Sequence, residues 1–189
     1  SARRQRQMCI RDSDDGEKIM ARAVVVATDG LAAAHLLNLE CPHSRRVTCL
    51  PFAAPRDPVA EPILVLNGEG RGPVNNLCVP NQVCSGYAPA GSALVSATIL
   101  GDADADTKKA VCRQLTEWYG NEVEDWRLLH QTFVAHALPV QVPFLPLDQA
   151  ARTDPGIYVC GDHRATPSLQ GAMVSGRQVA DAIAADIQA

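Results

Sequence analysis

The sequence has no Cys-x-x-Cys pair, although cysteine occurs seven times, at positions 9, 41, 49, 78, 84, 112 and 160. The odd count and the wide spacing argue against a disulfide framework and against a zinc site, so a reducing intracellular compartment is the simplest reading and no metal is expected. No apolar run approaches the ~20 residues needed to span a bilayer, and the chain is not expected to be transmembrane. A basic stripe is missing too. The formal net charge is −4, the one cluster (Arg3, Arg4 and Arg6) reads as a solvated end, and no nucleic-acid partner is expected. No signal peptide is visible, and the chain opens on Ser1 rather than Met, as if it entered a fold part-way. A G-x-G-x-x-G dinucleotide fingerprint is also absent. Gly68-Glu69-Gly70-Arg71-Gly72-Pro73 comes near it, but the third glycine falls one position early, a proline follows and no helix opens, so it reads as a hairpin loop.

What is present suffices for one domain with a real core or for two small ones, in 189 residues. Residues 7–11 and 17–22 flank Asp14-Asp15-Gly16, a hairpin signal. Residues 23–27 are continuously apolar and β-branched, as expected of a strand buried on both faces. Thr28-Asp29-Gly30 ends that run and residues 31–37 begin a short helix. Residues 38–62 carry Pro42, Pro51, Pro55, Pro58 and Pro62 and read as an irregular crossover. Strand-like runs follow at 63–67, 75–79 and 92–100, with a loop over 81–91. Residues 104–119 form an amphipathic helix: Asp104 and Asp106 lie where the dipole favours acid, Val111, Leu115 and Trp118 make the apolar stripe, and Gly120 stops it. Residues 126–138 read as one strand, in which His130 and His136 are core or surface residues rather than catalysts. Residues 139–147, with three prolines, form an extended connector.

The chain is organised around residues 157–183. An apolar run, 157–160, is broken by Gly161-Asp162, and Pro167 and Ser168 precede a helical pattern. Leu169, Met173, Val179 and Ile183 recur at roughly helical spacing, with Gly171, Ala172, Ser175, Gly176 and Ala180 between them. Glycine costs a helix about 1 kcal/mol relative to alanine, so two of them in two turns imply a close approach. That approach is either an anion at the helix head or tight packing of helix on sheet.

The run Gly161-Asp162, Pro167-Ser168-Leu169-Gln170-Gly171-Ala172, Ser175-Gly176 and Ala180 resembles the C-terminal FAD-binding signature of the flavin amine oxidase and phytoene desaturase superfamily. The early hairpin, the 23–27 strand and Ala27-Thr28-Asp29-Gly30 resemble a second segment of the same superfamily, in the expected order. The resemblance implies an α/β fold: the C-terminal part of a Rossmann-like FAD-binding domain with an antiparallel β-sheet substrate-domain insertion. Residues 1–38 and 140–189 would then be the FAD-binding domain, without its N-terminal βαβ unit, and residues 39–139 the substrate-domain-like sheet plus helix.

The implied cofactor is FAD. Gly161 and Asp162 would approach its ribityl or pyrophosphate part, and Gly171, Ala172 and Met173 the N1/C2 edge of the flavin at the head of the final helix, with Ser168 and Leu169 also among the cofactor-binding residues. His163 and Arg164 would reach the cofactor or only the solvent, and no residue is assigned a catalytic role. The implied function is the C-terminal part of an FAD-dependent oxidoreductase that transfers a hydride from its substrate to flavin N5. Another polypeptide, or a missing N-terminal half, would supply the G-x-G-x-x-G unit. Amine oxidases of the family usually place Tyr or Trp shortly before the Gly-Ala and a lysine near N5. Here the first position reads Pro167-Ser168-Leu169-Gln170, and the lysines are Lys18, Lys108 and Lys109. The expected substrate is therefore an apolar small molecule, such as a carotenoid or porphyrinogen, and a plastid setting would suit a carotenoid-type relative. The alternative is a flavin-free, truncated flavoprotein-like subunit with a structural role in a larger assembly.

Overall fold

The computed structural model describes residues 9–12, 18–141 and 150–188. The chain divides into two compact units, residues 1–44 with 138–189 and residues 45–137. In chain order, β1 (Cys9–Asp12) and β2 (Lys18–Ala21) pair antiparallel, Cys9 opposite Ala21 and Asp12 opposite Lys18. The turn expected at Asp14-Asp15-Gly16 lies outside the described residues. After β3 (Val24–Val26) comes α1 (Gly30–Leu37). Asp29 caps α1, its Oδ1 accepting from Leu31 N and Ala32 N at 3.0 Å each. Then follow β4 (Ser44–Ala54), β5 (Leu64–Leu66), β6 (Val74–Cys78), the single turn α2 (Pro80–Val83), and β7 (Ala93–Leu100). In α3 (Ala105–Tyr119) the cap is Asp104, and the Thr107 hydroxyl and N–H that donate to it hold its carboxyl below the ordinary carboxylate range. The chain closes with β8 (Arg127–Leu128), β9 (Thr132–Pro139), β10 (Arg152–Asp154), β11 (Ile157–Val159) and α4 (Leu169–Gln188).

The unit of residues 45–137 is a sheet in the order β5-β6-β7-β4-β8, with β9 also on β4. The period-2 pattern of the strands sorts their side chains by face. Leu50, Phe52 and Ala54 of β4 and Ala93, Val95, Ala97 and Ile99 of β7 are buried, and α3 closes over them with Val111 and Leu115. The 68–73 segment is the hairpin loop expected of it, joining antiparallel β5 and β6. Gln114 reaches out of α3 to hold this loop: its Oε1 accepts from Val74 N and its Nε2 donates to Arg71 O, both at 2.8 Å. Gly72, at φ 72°, passes so close that a Cβ there would lie 2.4 Å from Gln114 Oε1.

Two expectations for this unit are corrected. Residues 38–62 are not irregular throughout, because β4 fills 11 of them. Pro51 sits inside β4 opposite Ser96 of β7. Its carbonyl accepts from Leu129 N at 2.9 Å, so the position where its N–H would be faces the β8 side and the ladder to β7 is spared. The same gap explains why 126–138 is not one strand. Pro51 has no N–H to return to Leu129, so pairing stops after β8 and resumes as β9.

In the other unit β11 runs parallel to β3, Ile157 beside Val24 and Val159 beside Val26, and β10 pairs antiparallel on the far side of β11. The small sheet lies between two helices. Val26 and Val159 pack with Ala33 and Leu37 of α1, while Tyr158 and Cys160 pack with Val179, Ala182 and Ile183 of α4. Tyr158 Oη donates to Asp186 Oδ2 at 2.5 Å, and Arg152 Nη1 pairs with the same carboxylate at 3.2 Å, pinning the end of α4. The expectation that β3 is buried on both faces is corrected: Val25 is 43% exposed. The buried stripe of α4 also differs from the apolar one. Gly171, Ser175 and Val179 are buried, one turn apart, while Leu169 and Met173 are exposed.

Candidate functional site

Parallel pairing brings the C-terminal ends of β3 and β11 to one edge, and both helices of the unit begin there. In open α/β sheets ligands collect in the crevice outside those strand ends. Thr28-Asp29-Gly30 leads from β3 into α1. Residues 161–168 lead from β11 into α4. Cys160 N donates to Val26 O at 3.0 Å, so the two turns start from adjacent points. Gly161 then leaves the strand at φ 150° and donates its N–H to the buried Ser175 Oγ at 3.2 Å. Asp162, His163 and Arg164 form one 3₁₀ turn, closed by Arg164 N to Gly161 O at 3.1 Å and Ala165 N to Asp162 O at 3.3 Å. Ser168 caps α4: its Oγ accepts from Gly171 N at 2.9 Å and its carbonyl from Ala172 N at 3.0 Å. The N–H groups of Leu169 and Gln170 precede the first intrahelical donor, where a helix end carries partial positive charge.

The residues singled out from the sequence come together here, but they face different ways. Gly171 is buried, and Gly161, Asp162, Ser168 and Ala172 are half-buried. Leu169 and Met173, one turn apart, are 82% and 75% exposed, beside Val174 at 51%. The head of α4 thus presents an apolar strip, and the Asp162 carboxylate lies in the turn before it.

At three glycines the close neighbour is protein. A Cβ on Gly171 would lie 1.9 Å from Thr166 O, and one on Gly30 would lie 2.7 Å from Pro42 Cγ. A Cβ on Gly161 would lie 2.5 Å from His163 Cε1. For Gly171 this favours the packing account of a helix glycine. Gly176 has nothing within 4 Å of its Cβ position.

His163, expected to reach the cofactor or only the solvent, instead has its side chain buried within the protein. Its side chain is only 6% exposed, and burial pushes its pKa down from the ordinary histidine value, with Arg164 adding to that and Asp162 and Asp29 opposing it. The signal was available in a pair of glycines, Gly30 and Gly161, at the ends of two adjoining strands, which leave room for one large side chain. Arg164 turns from solvent to donate from Nη2 to Ala150 O at 2.6 Å, and burial lowers its pKa. Lys108 and Lys109 lie on α3, in the other unit. Among the described residues no cluster of His, Cys, Asp and Glu could hold a metal ion, and no helix is long and apolar enough to cross a membrane.

The sequence model of a family described as flavin containing amine oxidoreductase matches residues 3–184. Among the curated proteins searched, none matches the chain. Solved structures do. An oxidoreductase from Methanosarcina mazei superposes with a TM-score of 0.66 at 15% identity, over 93% of this chain and 48% of its own. A Pyrococcus furiosus protein gives 0.64 at 12%, over 93% and 44%. Cyclohexylamine oxidase from Brevibacterium oxydans gives 0.61 at 14%, over 92% and 45%. At these identities the likeness is one of fold, and the chain spans less than half the length of each of these three structures.

Proposed function

Because the chain belongs to the flavin-containing amine oxidoreductase family, whose cofactor is FAD, we propose that it is the C-terminal part of an FAD-dependent oxidoreductase acting on an apolar substrate. The observation that carries this reading is the shared edge of β3 and β11, where the capped head of α4 offers free N–H groups and an exposed Leu169 and Met173. These residues fit the flavin end of the cofactor. Leu169 and Met173 would lie against its apolar ring face. The N–H groups and dipole of the first turn of α4 would favour negative charge at the ring edge. The Asp162 carboxylate would accept from the hydroxyls of the ribityl chain. When bound, FAD supplies hydride acceptance at N5. The pyrophosphate requires a glycine-rich turn that this chain does not carry, so an N-terminal half or a partner polypeptide would supply it.

Oxidation of an amine is the weaker option. No Tyr or Trp stands within residues 161–170, just before Gly171-Ala172, and no lysine lies in the turns or helix heads at this edge. A hydride drawn from a carotenoid-like or porphyrinogen-like carbon skeleton suits an apolar helix head better. The test is to express the protein at the length its gene encodes and record its absorbance during anaerobic titration with such substrates. We expect a bound flavin whose visible band bleaches on substrate addition. A protein that purifies and stays folded without flavin, and takes up none when FAD is supplied, would overturn the reading in favour of a structural subunit.

A further inference from the structure

His163 fills a space that two glycines leave. A Cβ built on Gly161 would lie 2.5 Å from its Cε1 and 2.6 Å from its Nδ1, and one on Gly30 would lie 3.0 Å from its Cβ and Cγ. Gly30 closes the turn that follows β3 and Gly161 opens the one that follows β11, so the ring is wedged between them. Neither ring nitrogen has a hydrogen-bond partner among the described residues. The Asp162 carboxylate stands 3.9 Å from Nδ1, too far for a hydrogen bond. A neutral imidazole tolerates such confinement at the cost of its unpaired nitrogens, but an imidazolium held there would be a buried charge without a hydrogen-bonded partner, which is far more costly. The charged groups around it are Asp162 and Arg164 in its own turn and Asp29 at the head of α1. His163 also borders a cavity of about 430 Å³ whose wall includes Glu40, His43 and Arg164. A charged ring therefore has an adjoining space into which to turn, where the Glu40 carboxylate offsets the Arg164 guanidinium in the same wall.

We propose that His163 is a proton-released wedge: neutral, it locks the 161–168 turn against the head of α1; protonated, it swings into the adjoining cavity and frees that turn. The release needs no flavin. Its consequence, loss of cofactor as the turn carrying Asp162 loosens, rests on the function proposed above.

The sign follows from proton linkage. A histidine in the opened turn titrates at about 6.5, and burial holds the wedged ring below that value. Between the two values the open form binds more protons, so the closed turn is fully favoured above pH ~6.5 and loses ground as pH falls towards the wedged value.

The experiment is an NMR titration of histidine Cε1 signals in the 189-residue chain, run beside amide hydrogen exchange over residues 161–171. The His163 signal is assigned by its absence in His163→Phe. We expect it to titrate below 6.5, and exchange protection of those amides to fall by up to about tenfold per pH unit over the same window before levelling off. His163→Phe, which keeps a neutral ring, should keep its protection on acidification. A His163 that titrates at or above 6.5, protection that ignores its titration, or the same acid loss in His163→Phe would each overturn the wedge. Should the phenylalanine variant not fold, the signal that disappears in His163→Gln assigns the ring and the wild-type titration decides alone. Flavin release from the gene-length protein is followed separately. Retention of flavin while the wedge opens would overturn the link to the cofactor and leave the wedge standing.

Discussion

A methyl group at position 171 would sit 1.9 Å from the Thr166 carbonyl oxygen and 2.8 Å from its carbon, both backbone atoms that cannot swing aside. At position 176, five residues along the same helix, it would meet nothing within 4 Å. The two glycines look alike in the sequence and behave oppositely in the structure. Gly171→Ala should destabilise its unit by about 1–3 kcal/mol through overpacking, whereas Gly176→Ala should stabilise it by up to ~1 kcal/mol through helix propensity. Hydrogen exchange over residues 161–180 would separate them, the first variant losing protection and the second gaining it. Equal effects from the two would show that the Thr166 contact does not constrain the helix head. Residue-scale reading of the sequence stopped short here because glycine's reason is its neighbour, and the neighbour is set by a turn whose path no local pattern gives. The burial of His163 escapes the sequence on the same ground: it depends on Gly30, which lies more than a hundred positions away in the chain.

Elements were legible where one face decides them. Val111 and Leu115, with the Asp104 cap and Gly120, marked α3 to within a residue of its observed start. The strands β5, β6 and β7 fell within a residue or two of the apolar runs that announced them. β4 was lost because five prolines outweighed its alternation of Thr48, Leu50, Phe52 and Ala54, and a proline is tolerated in a strand when its missing N–H faces a side that pairs little. In α4 the apolar spacing held at Val179 and Ile183 and failed at the helix head. Leu169 and Met173 are on the period of a core stripe, but small residues let the 161–168 turn approach on Gly171 and Ser175 instead. At this scale the side chain that joins two elements is the sharper probe. Gln114 ties α3 to the β5–β6 hairpin, and Gln114→Leu would leave Val74 N–H without its partner and Arg71 O with the Asn67 amide alone. Its cost should be about 1–3 kcal/mol. Both tryptophans, Trp118 and Trp126, belong to this unit, so urea unfolding followed by their fluorescence reads the loss directly. An unchanged midpoint would mean that water or a shifted loop replaces both bonds.

Taken whole, the molecule carries the half of a dinucleotide fold that ends in a helix head, together with a sheet unit inserted between its first and last segments. The family membership was readable because the signature residues are consecutive along α4 and its approach, and their order survives in one chain. Substrate was less readable, since no local run of residues in either unit carries a pattern that selects one. The central claim is that the exposed strip on the head of α4 meets the flavin. Leu169 and Met173 are 82% and 75% exposed, so charges placed there should change the stability of the fold by no more than about 0.5 kcal/mol. The measurement is the flavin content of the gene-length protein carrying Leu169→Glu and Met173→Glu, compared with the unaltered protein. The account predicts a folded protein that has lost its flavin; flavin retained in full with both carboxylates in place would contradict it.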